Sequence, residues 1–323
     1  MRAITIEEIG APPRLADLPE PAAGQDETLI EIEAASVGHL DLTVAAGEFP
    51  FRPPAPYVPG TDGAGRVLAS GSFETGTRVW IRGGGVGLLR NGCWAERVVV
   101  PDSSVHPLTE DLPPALAATF FVPASTAHLA VHAVGRLSRG ERVAVRGAAG
   151  AVGALAVQIA LAAGAGEVIA IVRSAAQAAR VPARAPTRVA PASAELVKLA
   201  GADCDLVIDT VGGPDLAALL PALRPGGRIV LVGYVGGVVA ELPLTLLIGQ
   251  DVQLLPVNGL RHEVRAFTDV APGLLRDLAR GELDLPVRTH PFTALDRALE
   301  DVRSGGGGRV ALLASNTGGG GER

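Results

Sequence analysis

Residues 142–174 read RVAVRGAAGAVGALAVQIALAAGAGEVIAIVRS. An apolar run (Val143, Ala144, Val145) enters a glycine-bearing turn, a helix-like apolar stretch leaves it, and a second β-branched run (Val168, Ile169, Ile171, Val172) follows. This is the pattern of one βαβ unit. The turn Ala148 to Gly153 matches G-x-G-x-x-G with Ala148 in place of the first glycine. Gly150 lets backbone approach a pyrophosphate, and Gly153 lets the helix pack close to its strand. The open amides of the helix start, at Gly150, Ala151, Val152 and Gly153, then face the phosphate charge. A dinucleotide site is the expectation.

The end of the second strand selects the dinucleotide. A site for NAD carries an Asp or Glu about 20 residues beyond the glycines, to accept hydrogen bonds from the ribose hydroxyls. Here Arg173 and Ser174 stand there instead. A carboxylate repels a 2′-phosphate, whereas a guanidinium and a hydroxyl bind it by charge-assisted hydrogen bonds. NADPH is therefore the expected cofactor. Arg180 and Arg188 follow closely enough to join the same pocket.

Composition bounds the rest. The chain has 323 residues, 48% hydrophobic but only 3% aromatic, so its core must be built from Ala, Val, Leu and Ile. That length favours two domains. A net charge of -6 gives no basic face for nucleic acid or for an anionic membrane surface. Residues 1–10 read as a strand rather than a targeting segment, and the apolar run 229–240 is too short and glycine-rich to span a bilayer. Two cysteines, Cys93 and Cys204, make neither a disulfide framework nor a four-thiolate zinc site. A cytoplasmic, reducing setting is expected.

Residues 1–118 alternate short apolar segments with Pro and Gly clusters, the pattern of a small irregular barrel. Three loops stand out: Ala35 to Asp41 with His39 and Asp41, Pro56 to Gly65 with Tyr57, and the glycine-rich Arg82 to Gly92, which reads as a mobile surface loop. Further on, Ala115 to Phe121 and Ser125 to Val134 read as helices broken at Pro123, followed after the βαβ unit by a strand at Thr187 to Ala190 and a helix at Ala192 to Ala200. Asp205 to Asp209 and Arg228 to Val232 are buried strands, with a helix from Pro214 to Leu223 between them. Their carboxyl ends put Thr210, Val211, Val232, Gly233 and Tyr234 beside the nicotinamide half of the cofactor, with ring packing against the next loop as the alternative for Tyr234. Val264 to Arg280 and Phe292 to Ser304 are amphipathic helices, and Gly318 to Arg323 is a tail.

The succession ASVGHLDL, PYVPGTDGAGRV, TGTRVW, GCWAERVVVP, TAHLAV, SRGERVAVRGAAGAVGALAVQIA, LVIDTVGG, RPGGRIVLVG and GGRVALLAS resembles the zinc-independent quinone oxidoreductase and zeta-crystallin branch of the medium-chain dehydrogenase/reductase superfamily. The resemblance implies an α/β fold: a GroES-like, β-rich substrate and catalytic domain at 1–118 and 253–323, and a Rossmann domain with a doubly wound parallel sheet at 119–252. It also implies a homodimer joined through the last Rossmann strand. Thr126 is placed beside the nicotinamide, and Arg309 matches a basic residue that reaches the pyrophosphate.

Zinc alcohol dehydrogenases of the superfamily carry a Cys where this chain has Gly38, a His where it has Thr61, and a Cys near Val122. None of the three residues here supplies a thiolate or imidazole, so no metal is expected. Cys93 reads as a small buried residue. His128 and His132 are spaced one helical turn apart, as hydrogen-bonded interior histidines rather than ligands. Without a metal to polarise a carbonyl, the implied reaction is hydride transfer to a quinone or an α,β-unsaturated carbonyl, a small molecule for which a biosynthetic role is compatible. Relatives often have an Asn where Gly38 stands, which removes a polar group. The remaining candidates near the predicted cleft are His39, Asp41, Tyr57 and His128. Of these, His39 suits general acid work or a phosphate contact, and Asp41 suits loop orientation. The alternative is an NADPH-binding protein without turnover.

Overall fold

The computed structural model describes residues 1–181, 187–190, 203–305 and 307–314. Contacts divide the chain into two compact units, Met1–Phe121 with Pro286–Arg323, and Val122–Leu285. The return to the first unit comes at Pro286, not at residue 253, because 253–256 forms a strand of the parallel sheet and the helices after it group with that unit. The expected boundaries, at 118 and 253, are corrected accordingly.

The first unit begins with β1 (Arg2–Thr5) paired antiparallel to β2 (Arg14–Asp17). β3 (Glu27–Val37) is the long central strand: Ile30, Ile32 and Ala34 face inward, while Glu31 and Glu33 alternate outward. That period of two is what lays one face of a strand on a core. β3 is followed by helix α1 (His39–Ala45), β4 (Gly63–Ala69), β5 (Arg78–Ile81), β6 (Arg97–Pro101) and β7 (Val105–Pro107). Residues 82–92 are not wholly a surface loop as expected. Arg82 and Val86 are buried, and Gly87 and Gly92 lie so close to Gly60 that a Cβ at either would meet its backbone within 2.7 Å. Helix α2 (Pro114–Thr119) opens with Pro114 in its first turn, where a missing N–H costs nothing.

The second unit is a parallel six-stranded sheet of β8 (Arg142–Arg146), β9 (Glu167–Ile171), β10 (Thr187–Ala190), β11 (Cys204–Asp209), β12 (Leu223–Leu231) and β13 (Gln253–Pro256). Its order is β10-β9-β8-β11-β12-β13. The winding direction reverses between β8 and β11, the switch point where open α/β sheets bind ligands beyond their carboxyl ends. Helix α3 (Phe121–His128) passes into a wider π turn at Leu129–Val134. Pro123 does not break it as expected, because it sits in the first turn, where its N–H has no helical partner to lose. Helix α4 (Ala151–Ala162) follows β8, and α5 (Ala175–Ala178) follows β9. Residues 214–222 form a 3₁₀ rather than an α helix, since Pro221 cannot donate within it. The expected single helix at 264–280 is interrupted by a π turn at Ala266–Val270, just where Pro272 would clash with a carbonyl four residues back. The expected helix at Ala192 to Ala200 and the tail at Gly318 to Arg323 lie outside the described residues.

The chain then completes the first unit with β14 (Val287–Pro291), a helix at Leu295–Ser304, and β15 (Arg309–Leu313), which pairs antiparallel with the end of β3. Ile4, Ile30, Ile32, Trp94, Leu299 and Leu312 are among the side chains of its core.

Candidate functional site

The turn after β8 has the geometry its sequence predicts, shifted by one position. Gly147, not residue 148, takes the left-handed backbone, with φ of 81°. That is why Ala148 is tolerated where the fingerprint has glycine. Gly150 caps α4 without a side chain, so the amides of Ala151, Val152 and Gly153 open the helix uncovered. A Cβ on Gly153 would lie 2.2 Å from the carbonyl oxygen of Gly147. Helix and turn are in the close packing that a pyrophosphate needs, and the residues fit a dinucleotide.

Beyond β9, Arg173 and Ser174 are exposed. Gln177 holds this corner: its Oε1 accepts from the Arg173 amide at 2.8 Å, and its amide donates to Ser174 Oγ at 3.3 Å. As an acceptor in that cap, the serine hydroxyl keeps its own proton to give. Arg180 is exposed a turn later. Arg188 lies on β10, and its side chain is outside the described residues.

The ends of β8 and β11 are joined by a buried ion pair absent from the sequence reading. Arg146 Nη1 lies 3.4 Å from Asp209 Oδ1 and donates to the Gly212 carbonyl at 3.0 Å. Asp209, fully buried, also accepts from the amides of Val211 and Gly212 at 3.0 Å and 3.1 Å. Thr210 Oγ1 donates to the Arg146 carbonyl at 2.8 Å, and the amide of Val232 donates to the carbonyl of Asp209 at 2.9 Å. Thr210, Val211, Val232 and Gly233 are thus gathered at the switch point. The legible signal was a cation ending one apolar strand and an anion ending another. Tyr234 is 61% exposed, so it does not pack its ring against the next loop.

Thr126 is half-buried on α3. His128 and His132 have ring centroids 4.5 Å apart. Burial, followed by the neighbouring His132, pushes His128 down to about 4, so it is neutral at pH 7. The expectation of two hydrogen-bonded interior histidines is corrected: His132 is exposed, and His128 Nδ1 is buried without a partner among the described residues.

In the first unit, Asp41 is 3% exposed and bridges two loops, accepting from the amides of Gly38 at 2.9 Å and Thr61 at 3.0 Å. Burial, then repulsion from Asp62, raises its pKa to about 6. Thr61 Oγ1 donates to Asp62 at 2.7 Å, and Arg82 pairs with the same carboxylate at 3.0 Å. Arg309, at the start of β15, donates through Nη2 to Ser36 Oγ at 2.6 Å, while its Nε is buried with no partner among the described residues. Trp94 Nε1 donates to the Ser36 carbonyl at 2.8 Å.

Tyr57 is buried with its hydroxyl unpartnered among the described residues, and burial raises its pKa. His39 starts α1 at the surface; desolvation, then the charge of Arg309, lowers its pKa. His39 and Asp41 are therefore turned apart, one to solvent and one inward. Cys93 is fully buried, and burial pushes its thiol up. No group of three His, Cys, Asp or Glu among the described residues is arranged to hold a metal ion.

Two family models match the chain: the alcohol dehydrogenase GroES-like domain at residues 24–110 and the zinc-binding dehydrogenase domain at 151–271. Over 332 aligned positions the chain is 28% identical to quinone oxidoreductase of Lama guanicoe, covering 97% of each chain. It is 27% identical to quinone oxidoreductase-like protein 2 of Mus musculus, over 93% of this chain and 86% of that one. Among solved structures, the quinone oxidoreductase of Thermus thermophilus, determined also in complex with NADPH, superposes with a TM-score of 0.80 at 31% identity, covering 97% of this chain and all of that one.

Proposed function

Since this chain belongs to the medium-chain dehydrogenase/reductase superfamily and is a nicotinamide-dependent oxidoreductase by kinship, we propose that it is an NADPH-dependent, zinc-independent reductase of quinones or α,β-unsaturated carbonyls. The observation that carries the cofactor assignment is the corner after β9. Arg173 and Ser174 present a cation and a hydroxyl where a carboxylate would select NADH. The Thermus relative's complex with NADPH supports the same choice. Bound there, NADPH supplies the hydride.

This chain's residues bind and align. The amides of residues 151–153 hold the pyrophosphate, and the Thr210–Gly213 turn, anchored by Arg146 and Asp209, lines the nicotinamide half. Asp41 fixes Gly38 and Thr61, two of the three positions at which metal-dependent relatives carry ligands, by their backbone alone. Asp62 is taken up by Arg82. With no ligand set to polarise an alcohol or simple carbonyl, an acceptor that is already electrophilic is the matching substrate class, compatible with a biosynthetic pathway. His128, pushed down to about 4 by burial, is neutral at pH 7 and does not supply the final proton.

A homodimer belongs to this reading. β13 is the edge of the parallel sheet, and the segment leading to it exposes Val235, Val238, Val239, Leu244 and Ile248. An apolar stretch of this kind is characteristic of an interaction surface. No described helix is long and apolar enough to cross a membrane, and two buried free cysteines suit the cytoplasm.

The test is titration of the protein with NADPH and NADH, wild type and Arg173→Ala, followed by turnover of a quinone and enone panel. Tighter NADPH binding that the substitution erases, with reduction of a conjugated acceptor, is the expected outcome. Tight NADPH binding without turnover would favour the second reading, a binding protein, for which the missing side chain at Gly38 and the His at position 128 are the supporting observations. If neither cofactor binds, both readings fail.

A further inference from the structure

We infer that Gln177 is the positioning residue that gives the corner after β9 its preference for a 2′-phosphate, holding Arg173 and Ser174 in place without setting an anion beside them. The inference rests on the NADPH reading above and concerns the parallel-sheet unit alone.

Three residues, Ile171 to Arg173, link the glycine turn to this corner, and their backbone is tied at both ends. At the near end the Ile171 carbonyl accepts from the amides of Gly147 and Ala148 at 3.1 Å and 3.3 Å, so β9 and the turn after β8 share one oxygen. Val172, between the two ties, is buried. At the far end the Arg173 amide donates to Gln177 Oε1 at 2.8 Å. The root of the Arg173 side chain is thereby fixed relative to the amides that face the pyrophosphate, and only its own torsions stay free.

Gln177 holds Ser174 with its other group. Its backbone amide donates to Ser174 Oγ at 3.3 Å and to the Ser174 carbonyl at 3.1 Å. A hydroxyl has one proton and two lone pairs. With one lone pair taken by that amide, the rotor is restricted and the proton is turned outward to an incoming acceptor. Recognition is by side chains: the amide of residue 177 in this four-residue helix is spent on Ser174, so the helix end is not the anion site.

The residue is an amide where an acid would pin Arg173 equally well. A Glu at 177 would accept from the same N–H, but its charge would stand beside a phosphate that is close to doubly charged at neutral pH, and like charges at such range repel. Arg173 and Arg180 are exposed, and neither pairs with a carboxylate among the described residues. A neutral Gln177 leaves both cations to the ligand.

The probes are adenosine 2′,5′-bisphosphate and adenosine 5′-monophosphate, which differ only in the 2′-phosphate and carry no nicotinamide, titrated by calorimetry against the full chain. Wild type is expected to prefer the bisphosphate by roughly 100-fold, the worth of one charge-assisted and one neutral hydrogen bond. Gln177→Ala should lower that preference by about 3- to 10-fold, because a side chain with free rotamers must then be ordered on binding, with the loss confined to the bisphosphate. The Arg173 amide should exchange hydrogen faster in Gln177→Ala and stay protected in Gln177→Glu, which restores the acceptor yet loses the preference to its charge. In Gln177→Ala/Arg173→Ala the combined loss should be smaller than the product of the two single losses, the mark of residues that act together.

An unchanged preference in Gln177→Ala or in Gln177→Glu, equal losses for both probes, or a double variant whose losses multiply would each overturn the proposal and leave the NADPH reading standing. A wild type that binds the bisphosphate no tighter than the monophosphate sinks the NADPH reading itself, and this proposal with it.

Discussion

Gly153 stands so close beneath the turn after β8 that a Cβ on it would come within 2.2 Å of the carbonyl oxygen of Gly147. The obstacle is backbone, which cannot swing aside as a side chain can. Gly153→Ala must therefore displace α4, with an overpacking cost of about 1–3 kcal/mol. The phosphate-facing amides move with the helix. Thermal unfolding should report a lower midpoint, and calorimetry a loss of NADPH affinity larger than the stability loss alone explains.

Removing the cation after β9 tests the choice of nucleotide. A charge-assisted hydrogen bond is worth about 1.5–3 kcal/mol, so Arg173→Ala should weaken NADPH binding by roughly 10- to 100-fold while leaving NADH nearly unchanged. Equal losses for both nucleotides would show that Arg173 does not read the 2′-phosphate.

The Arg146 and Asp209 pair ties the two strands at the switch point. Removing one partner of a buried pair costs about 3–5 kcal/mol, so Arg146→Met should lower stability by about that much and loosen the Thr210–Gly213 turn. A double-mutant cycle with Asp209→Asn, followed by urea unfolding, measures the coupling. Additive losses would mean that the two charges act separately.

Asp41 has a pKa raised to about 6, against about 3.9 in an unfolded chain. Between those values the folded state holds more protons than the unfolded one, so this group's contribution makes stability fall as pH rises from about 4 to 6, and level off above. Asp41→Asn removes the titration and also turns an NH₂ toward the Gly38 or Thr61 amide. The stability of wild type relative to the variant should therefore decline across that window in denaturant titrations. A flat difference would refute the raised pKa.

Val238 and Ile248 are 83% and 81% exposed near the sheet edge. If they lie in a homodimer interface, Val238→Glu and Ile248→Glu should each yield a folded monomer in sedimentation velocity. A wild type that sediments as a monomer dismisses the interface.

The βαβ unit was legible because its signals are local. Strand, glycines, helix and strand follow one another within 142–174, and each is dictated by residues a few positions apart. Arg309 was legible only as a basic residue before a strand. Its meeting with Ser36 depends on β15 pairing with β3, which no local pattern announces. Arg146 and Asp209 are hidden for the same reason, since each merely ends an apolar run until β8 and β11 are set side by side. The misplaced return at residue 253 reflects the helices of 259–279, whose apolar face (Leu274, Leu275, Leu278) tells that they are buried but not by what. Pro123 misled because its effect depends on its position in a helix whose start the sequence does not mark.

The pairing of β15 with β3 also sets an order of manufacture. Arg309 is synthesised 273 residues after the Ser36 it meets; β6 covers residues 27–31 of β3 early, but the Ala34–Val37 end waits for β15 while the whole parallel-sheet unit is translated. An open edge is a template for wrong pairing. A chain ending before residue 309 leaves Ala34–Val37 without the strand that pairs with it. The last strand of the chain is thus the one that closes the sheet begun by the third.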